Sequence, residues 1–235
     1  MNLKTVKPGY LTIVASDFYA KPMSFVNGTE RLGYEPELAR ALCQRLGLIP
    51  LWYNLPMADF YISLTAGNYD VVWFNQAITE ERKAKADFTR PYGLFDEAVL
   101  VRKESSVTAP KDLAGLKVGG LADSTNVELA RSFGNAEIVA FPGSDRVLPE
   151  MLEALRKGEI DALIDDELVL LIAAEEDPNL RIAFSVPTRI PFGIATPRGN
   201  TALVAELDRV LDELIADGTM AALWREWVPW KPFPF

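Results

Sequence analysis

Three short segments hold the side chains best suited to gripping a small charged molecule. Ile78-Thr79-Glu80-Glu81-Arg82-Lys83 follows a β-rich run and opens a helical stretch. An arginine one turn into such a helix carries a planar fork that pairs bidentately with a carboxylate. A solvated helix of mixed charge fits the same residues, and it is the reading that suits Lys83 and Lys85. Asp165-Asp166-Glu167 follows a second β-rich run. Three adjacent acids repel one another, so at least one should face solvent, while another can turn inward and accept from an ammonium group. Helix N-capping by Asp165 or Asp166, with Glu167 favouring the helix dipole, accounts for these residues equally well. Asp123-Ser124-Thr125 opens a further helix whose free N–H groups and hydroxyls could receive an anion. Plain capping by Asp123 or Ser124 is the competing reading.

Composition removes other chemistries. The 235 residues include no histidine, which excludes His-based triads, most zinc sites and the commonest general base. Cys43 is the single cysteine, so no intrachain disulfide can form; it fits a small buried side chain in a helix. The formal charge of −9 argues against nucleic acid and anionic membranes as partners. The longest apolar run, Leu168 to Ala174, is too short to span a bilayer. Met1 to Pro8 show no charged region followed by an apolar stretch, so no signal peptide is expected there. No metal or cofactor is expected.

The elements that must position these groups alternate. Strands are expected at Tyr10–Ala15, Leu48–Tyr53, Tyr69–Phe74, Ala98–Arg102, Leu116–Gly120, Glu137–Phe141, Ile160–Ile164 and Arg181–Phe184, with Pro187–Gly193 crossing back. Helices are expected at Pro36–Leu46, Asp59–Ala66, Ser124–Ser132, Arg146–Lys157, Glu167–Glu175 and Thr201–Asp217, with a last short helix carrying Trp224 and Trp227. Asn27-Gly28 signals a hairpin. In the Thr201–Asp217 helix Leu203, Leu207, Val210, Leu211 and Leu214 fall on one face. Such alternation is the pattern of an α/β fold with open sheets.

An internal echo organises the chain. Leu64-Thr-Ala-Gly67-Asn-Tyr-Asp70 matches Leu155-Arg-Lys-Gly158-Glu-Ile-Asp161, each reading as a helix end, a glycine cap, a turn and a buried strand. Two similar lobes follow: residues 1–97 with 193–235, and residues 103–187, joined by crossovers at 98–102 and 188–192. Ligands in open α/β sheets bind beyond the carboxyl ends of strands. Here those places are Ser16–Pro22, Phe74–Arg82, Ala122–Asn126 and Asp165–Glu167.

Several motifs occur together and in order. They are Gly33-Tyr-Glu-Pro-Glu-Leu-Ala-Arg-Ala-Leu42, Leu64-x-x-Gly67-x-Tyr-Asp70 and Ala77-Ile-Thr-Glu-Glu-Arg82-Lys83-x-x-x-Asp87-Phe88-Thr-x-Pro91-Tyr92, followed by Leu113-x-Gly-Leu-Lys-Val-Gly119, Gly158-x-Ile-Asp161-Ala162 and Asp217-Gly-Thr219. With them the chain resembles the polar amino-acid family (family 3) of extracytoplasmic solute-binding proteins of ABC importers. The resemblance implies a periplasmic-binding-protein-like II fold, two α/β lobes on a two-strand hinge with the ligand cleft between them. It implies that Arg82 grips the ligand carboxylate, that Asp166 takes the ammonium, and that Ser124 and Thr125 add carboxylate contacts. In the first loop, Asp17, Phe18 and Tyr19 stand where an aromatic often stacks on the ligand. A membrane permease would be the partner and a monomer the working form. The location would be periplasmic, or extracytoplasmic and membrane-anchored.

Two departures bear on the ligand. Ala77 replaces the small hydroxyl residue usual before Ile-Thr, so one hydrogen bond is missing. The strand end Trp73-Phe74-Asn75-Gln76 is bulky, although the Asn75 amide offers a polar contact. Phe18, Tyr19, Trp73, Phe74 and Met57 suggest an apolar or aromatic ligand side chain, or a methylated ammonium held by cation–π contacts; core packing is the competing role. Two rivals use the same scaffold. One is an enzyme resembling cyclohexadienyl dehydratases, with Asp166 and Glu167 as the only carboxylates to nominate as general acid. The other is a sensor module of a receptor.

Overall fold

The computed structural model describes residues 3–122, 124–142 and 146–235. Asp123, one of the two expected caps, lies outside them. The chain divides into two compact units, residues 1–94 with 190–235, and residues 95–189.

The first unit opens with β1 (Tyr10–Ala15), the hairpin β2 (Phe25–Asn27) and β3 (Glu30–Leu32), then α1 (Tyr34–Leu46) and β4 (Ile49–Asn54). It continues through α2 (Phe60–Thr65), β5 (Val71–Val72), α3 (Glu80–Lys83) and β6 (Asp87–Phe88). Leu11, Ile13, Val14 and Ala15 of β1 are all buried, as expected of a strand covered on both faces. Glu35 and Glu37 stand in the first turn of α1, and Gly47 ends it in the left-handed conformation that glycine adopts without penalty.

Strand β7 (Gly93–Arg102) leads into the second unit, which holds β8 (Lys117–Leu121), α4 (Thr125–Arg131), β9 (Glu137–Phe141), α5 (Val147–Lys157), β10 (Ala162–Asp166) and α6 (Glu167–Glu176). Strand β11 (Leu180–Phe192) leads out again. Its sheet has the order β11-β7-β10-β8-β9, with β10 parallel to β8 and antiparallel to β7.

The chain then adds β12 (Ala195–Thr196), α7 (Thr201–Ala216) and α8 (Thr219–Trp227) to the first unit. That sheet has the order β4-β1-β5-β12-β6, with β1 parallel to β4 and β5. All five predicted α7 residues are buried. Trp224 of α8 is buried edge-on against Tyr34 of α1, with ring centroids 5.1 Å apart.

The echo has a structural cause. Asp70 N–H donates to the Thr12 carbonyl (3.2 Å), and its carboxylate accepts from Thr12 N–H (2.8 Å). In the second unit Asp161 N–H donates to the Lys117 carbonyl (2.8 Å), and its carboxylate accepts from Lys117 N–H (2.9 Å). Each aspartate thereby fixes the register of the neighbouring parallel strand.

Three strand expectations need correction. Strand β7 begins at Gly93 rather than at Ala98. Instead of Tyr69–Phe74, β5 covers only Val71 and Val72, because the chain turns away and Asn75 adopts a left-handed φ of 47°. The strand expected at Arg181–Phe184 runs unbroken to Phe192. β11 lies at the sheet edge, where Pro187 can sit without leaving a ladder donor unmade.

Candidate functional site

In the first unit the chemistry gathers beyond the carboxyl ends of β1 and β5. Helix α3 is only one turn long and depends on its cap: the Thr79 hydroxyl accepts from the Arg82 N–H at 3.2 Å. The half-buried Arg82 guanidinium donates through Nη1 to the Ala77 carbonyl, 3.2 Å away. Lys83 and Lys85 are neutralised by Glu80 and Glu81 at 2.8 and 2.6 Å. Among the described residues Arg82 forms no such ion pair.

Beside this segment, Tyr61 donates to Gln76 Oε1 (2.7 Å) and Gln76 Nε2 donates to the Phe74 carbonyl (2.5 Å). Burial pushes the Tyr61 phenol up to about 12, against the pull of nearby Arg82, so it stays a neutral donor. Phe74 belongs to a buried cluster on which Phe18, Met57 and Tyr61 pack. Phe18 meets Phe74 edge-on at 6.4 Å. Asp17 is exposed, and Tyr19, 40% exposed, rests on Phe25 with ring centroids 5.3 Å apart. Trp73 is set apart from this wall; it is wholly buried and packs on Tyr92. Ala77 is buried and bridges Phe192.

Asn75 is held from beneath. Its N–H donates to Glu35 Oε1 at 2.9 Å, and the Tyr92 hydroxyl donates to the same oxygen. Burial raises the Glu35 carboxyl to about 7, and these hydrogen bonds and the Arg31 charge oppose the shift. Arg31 in turn donates to the Ser16 carbonyl (2.7 Å) and to Asn54. One buried network thus fixes the two loops that carry Phe18 and Asn75.

In the second unit Ser124 caps α4. Its hydroxyl accepts from Val127 N–H (3.2 Å) and donates to the Leu121 carbonyl (2.6 Å). Thr125 donates to Asn126 Oδ1 (3.1 Å), and Asn126 Nδ2 donates to Asp165 Oδ1 (3.0 Å). Asp165 also accepts from the Asp166 N–H at 2.8 Å. Asp166 occupies the N-cap position of α6, yet its side chain makes no cap hydrogen bond. Glu97 of β7 is 1% exposed and lies directly opposite Asp166 in the antiparallel ladder. Burial raises the Glu97 carboxyl well above the ordinary range, and the charges of Asp166, Asp165 and Asp96 raise it further. Burial also raises Asp165.

Residues 12–229 match the sequence profile of the bacterial extracellular solute-binding proteins, family 3. The chain belongs to this family. A probable amino-acid ABC transporter-binding protein of Haemophilus influenzae is 30% identical over 220 residues, 92% of this chain and 83% of that protein. The L-cystine-binding protein TcyJ of Escherichia coli is 29% identical over 230 residues, 96% and 85% of the two chains. Among solved structures, an ancestral arginine-binding protein bound to glutamine superposes with a TM-score of 0.84 at 26% identity, covering 94% of this chain and 99% of that one. The two sheet-and-helix units are those of the type II periplasmic-binding-protein fold. Among the described residues no helix is long and apolar enough to cross a membrane.

Within this solute-binding family member, the polar support around the expected ligand contacts was not foreseen. Glu35, Tyr61, Gln76, Glu97 and Asn126 were not singled out. Glu35 sits inside the Gly33-to-Leu42 motif, and Glu97 directly precedes the apolar run from Ala98 to Val101; those were the available signals.

Proposed function

We propose that this chain is the solute-binding component of an ABC importer that takes an α-amino acid or a related small zwitterion. Arg82 holds the ligand carboxylate and Asp166 its ammonium. Ser124 and Thr125 add polar contacts, and Phe18, Phe74 and Met57 receive the side chain. Ligand selects a closed state by hinge motion and is passed to a membrane permease.

The observation that carries this reading is the state of Arg82. It lies beyond a parallel strand with the neighbouring lysines already paired, its own guanidinium without an ion pair among the described residues, and a backbone carbonyl steadying one nitrogen. A guanidinium steadied in this way is prepared for a bidentate carboxylate. Asp166, at the N-cap position of α6, supplies the carboxylate for the other half. The missing hydroxyl at Ala77 and the aromatic wall favour a ligand whose side chain is largely apolar.

A thermal-shift screen against the amino acids, betaines and small carboxylates tests the reading, since a ligand that binds only the folded state raises the melting temperature. The expected result is a shift with one or a few amino acids. Shifts with carboxylates lacking an amine, or with none of the compounds, would contradict it. The proposal assigns no chemistry to the site, so formation of phenylpyruvate from prephenate would contradict that part.

A further inference from the structure

The second unit places a carboxylate where none is easily tolerated. Glu97 is 1% exposed, and its Oε2 is buried with no hydrogen-bond partner among the described residues. Asp166 stands directly across the ladder from it. Directly opposed residues project from the same sheet face with Cβ atoms roughly 4.5–5.5 Å apart, and like charges there destabilise the pair. No lysine or arginine among the described residues forms an ion pair with Glu97. The charges that bear on it are those of Asp166 and Asp165 on β10 and of Asp96 beside it on β7; Arg189 on β11 reaches Asp96 through its backbone N–H at 3.0 Å. A buried carboxylate oxygen with no donor costs stability unless something supplies one.

We propose that Glu97 is a specificity-determining residue which, with Asp166, forms a two-carboxylate acceptor for the ligand's ammonium. This rests on the amino-acid reading above and deepens it. An ammonium brings three donors and a positive charge. Asp166 can take one donor and the Glu97 carboxylate another. Without ligand Glu97 keeps its proton, because a buried carboxylate directly opposed to another carboxylate cannot ionise cheaply. When the ammonium enters, the O–H bond of Glu97 breaks, its electron pair stays on the carboxylate, and the proton leaves to solvent. Binding therefore releases a proton, and affinity rises with pH. A ligand without the positive charge cannot drive that release.

Calorimetric titration with L-glutamine, L-arginine and L-cystine, between pH 6 and pH 8 and in buffers of different ionisation enthalpy, tests this. For any probe that binds, the wild type should gain at least about tenfold in affinity across that range and release close to one proton. Glu97→Gln, which copies the shape of the protonated acid, should fold normally, release no proton and lose the pH dependence. Affinity independent of pH, or proton release unchanged in Glu97→Gln, would overturn the role of Glu97 and leave the amino-acid reading standing. Failure of these three probes and of every amino acid in the thermal-shift screen to bind the wild type would overturn that reading and this inference with it.

Discussion

At the scale of single residues, the first unit depends on buried ionisable groups more than on exposed ones. Glu35 has no accessible surface, yet it receives the Asn75 N–H and the Tyr92 hydroxyl and lies near Arg31. Its carboxyl is raised from 4.5 to about 7 in the folded chain. A carboxyl raised on folding favours the protonated folded form, so its contribution to stability is lost as pH rises from about 4.5 through 7. Glu35→Gln should remove that dependence. The melting temperature of the variant relative to wild type should rise from pH 5 to about pH 7 and level off above it, and a constant difference would show that Glu35 does not titrate there. Such a residue is hard to read from a sequence. Glu35 looks like an ordinary first-turn acid of α1, and only the return of Asn75 and Tyr92 from distant segments makes it a buried support. Glu97 is concealed in the same way, because its neighbour Asp166 belongs to another strand. Arg82 and Asp166 could be nominated from the sequence because each stands at or beyond a strand end, where open α/β sheets carry ligands.

At the scale of elements, periodicity and punctuation served well where an element is long. Helix α7 buried its five predicted apolar residues, and Gly47 and Gly158 ended α1 and α5 in left-handed conformations as their positions suggested. The echo between Asp70 and Asp161 proved to be a repeated strand clamp. Short elements were less legible. Strand β5 is two residues long because the chain must turn at Asn75 to present the loop that leads to α3. Nothing in its apolar sequence marks that stop. Helix α3 is too short to persist by its own propensity. Its cap is therefore the element's main local support. Thr79→Ala should cost about 1 kcal/mol of stability, in line with other lost caps. It should also weaken amino-acid affinity, because the N–H released is that of Arg82. Urea denaturation and calorimetry on the same variant check both effects. Loss of stability with unchanged affinity would separate the cap from the binding role.

At the scale of the whole molecule, the chain builds one unit, crosses into a second along β7, and returns along β11 to finish the first with β12, α7 and α8. The carboxylate-binding and ammonium-binding roles assigned here fall in different units. The central claim is that a single ligand engages both. Calorimetric titration of wild type, Arg82→Ala and Asp166→Ala with the amino acid that gives the largest thermal shift tests it most directly. Removing one partner of a desolvated charge pair costs roughly 2–5 kcal/mol, so each variant should lose about 30-fold or more in affinity. Wild-type affinity in either variant would contradict the account.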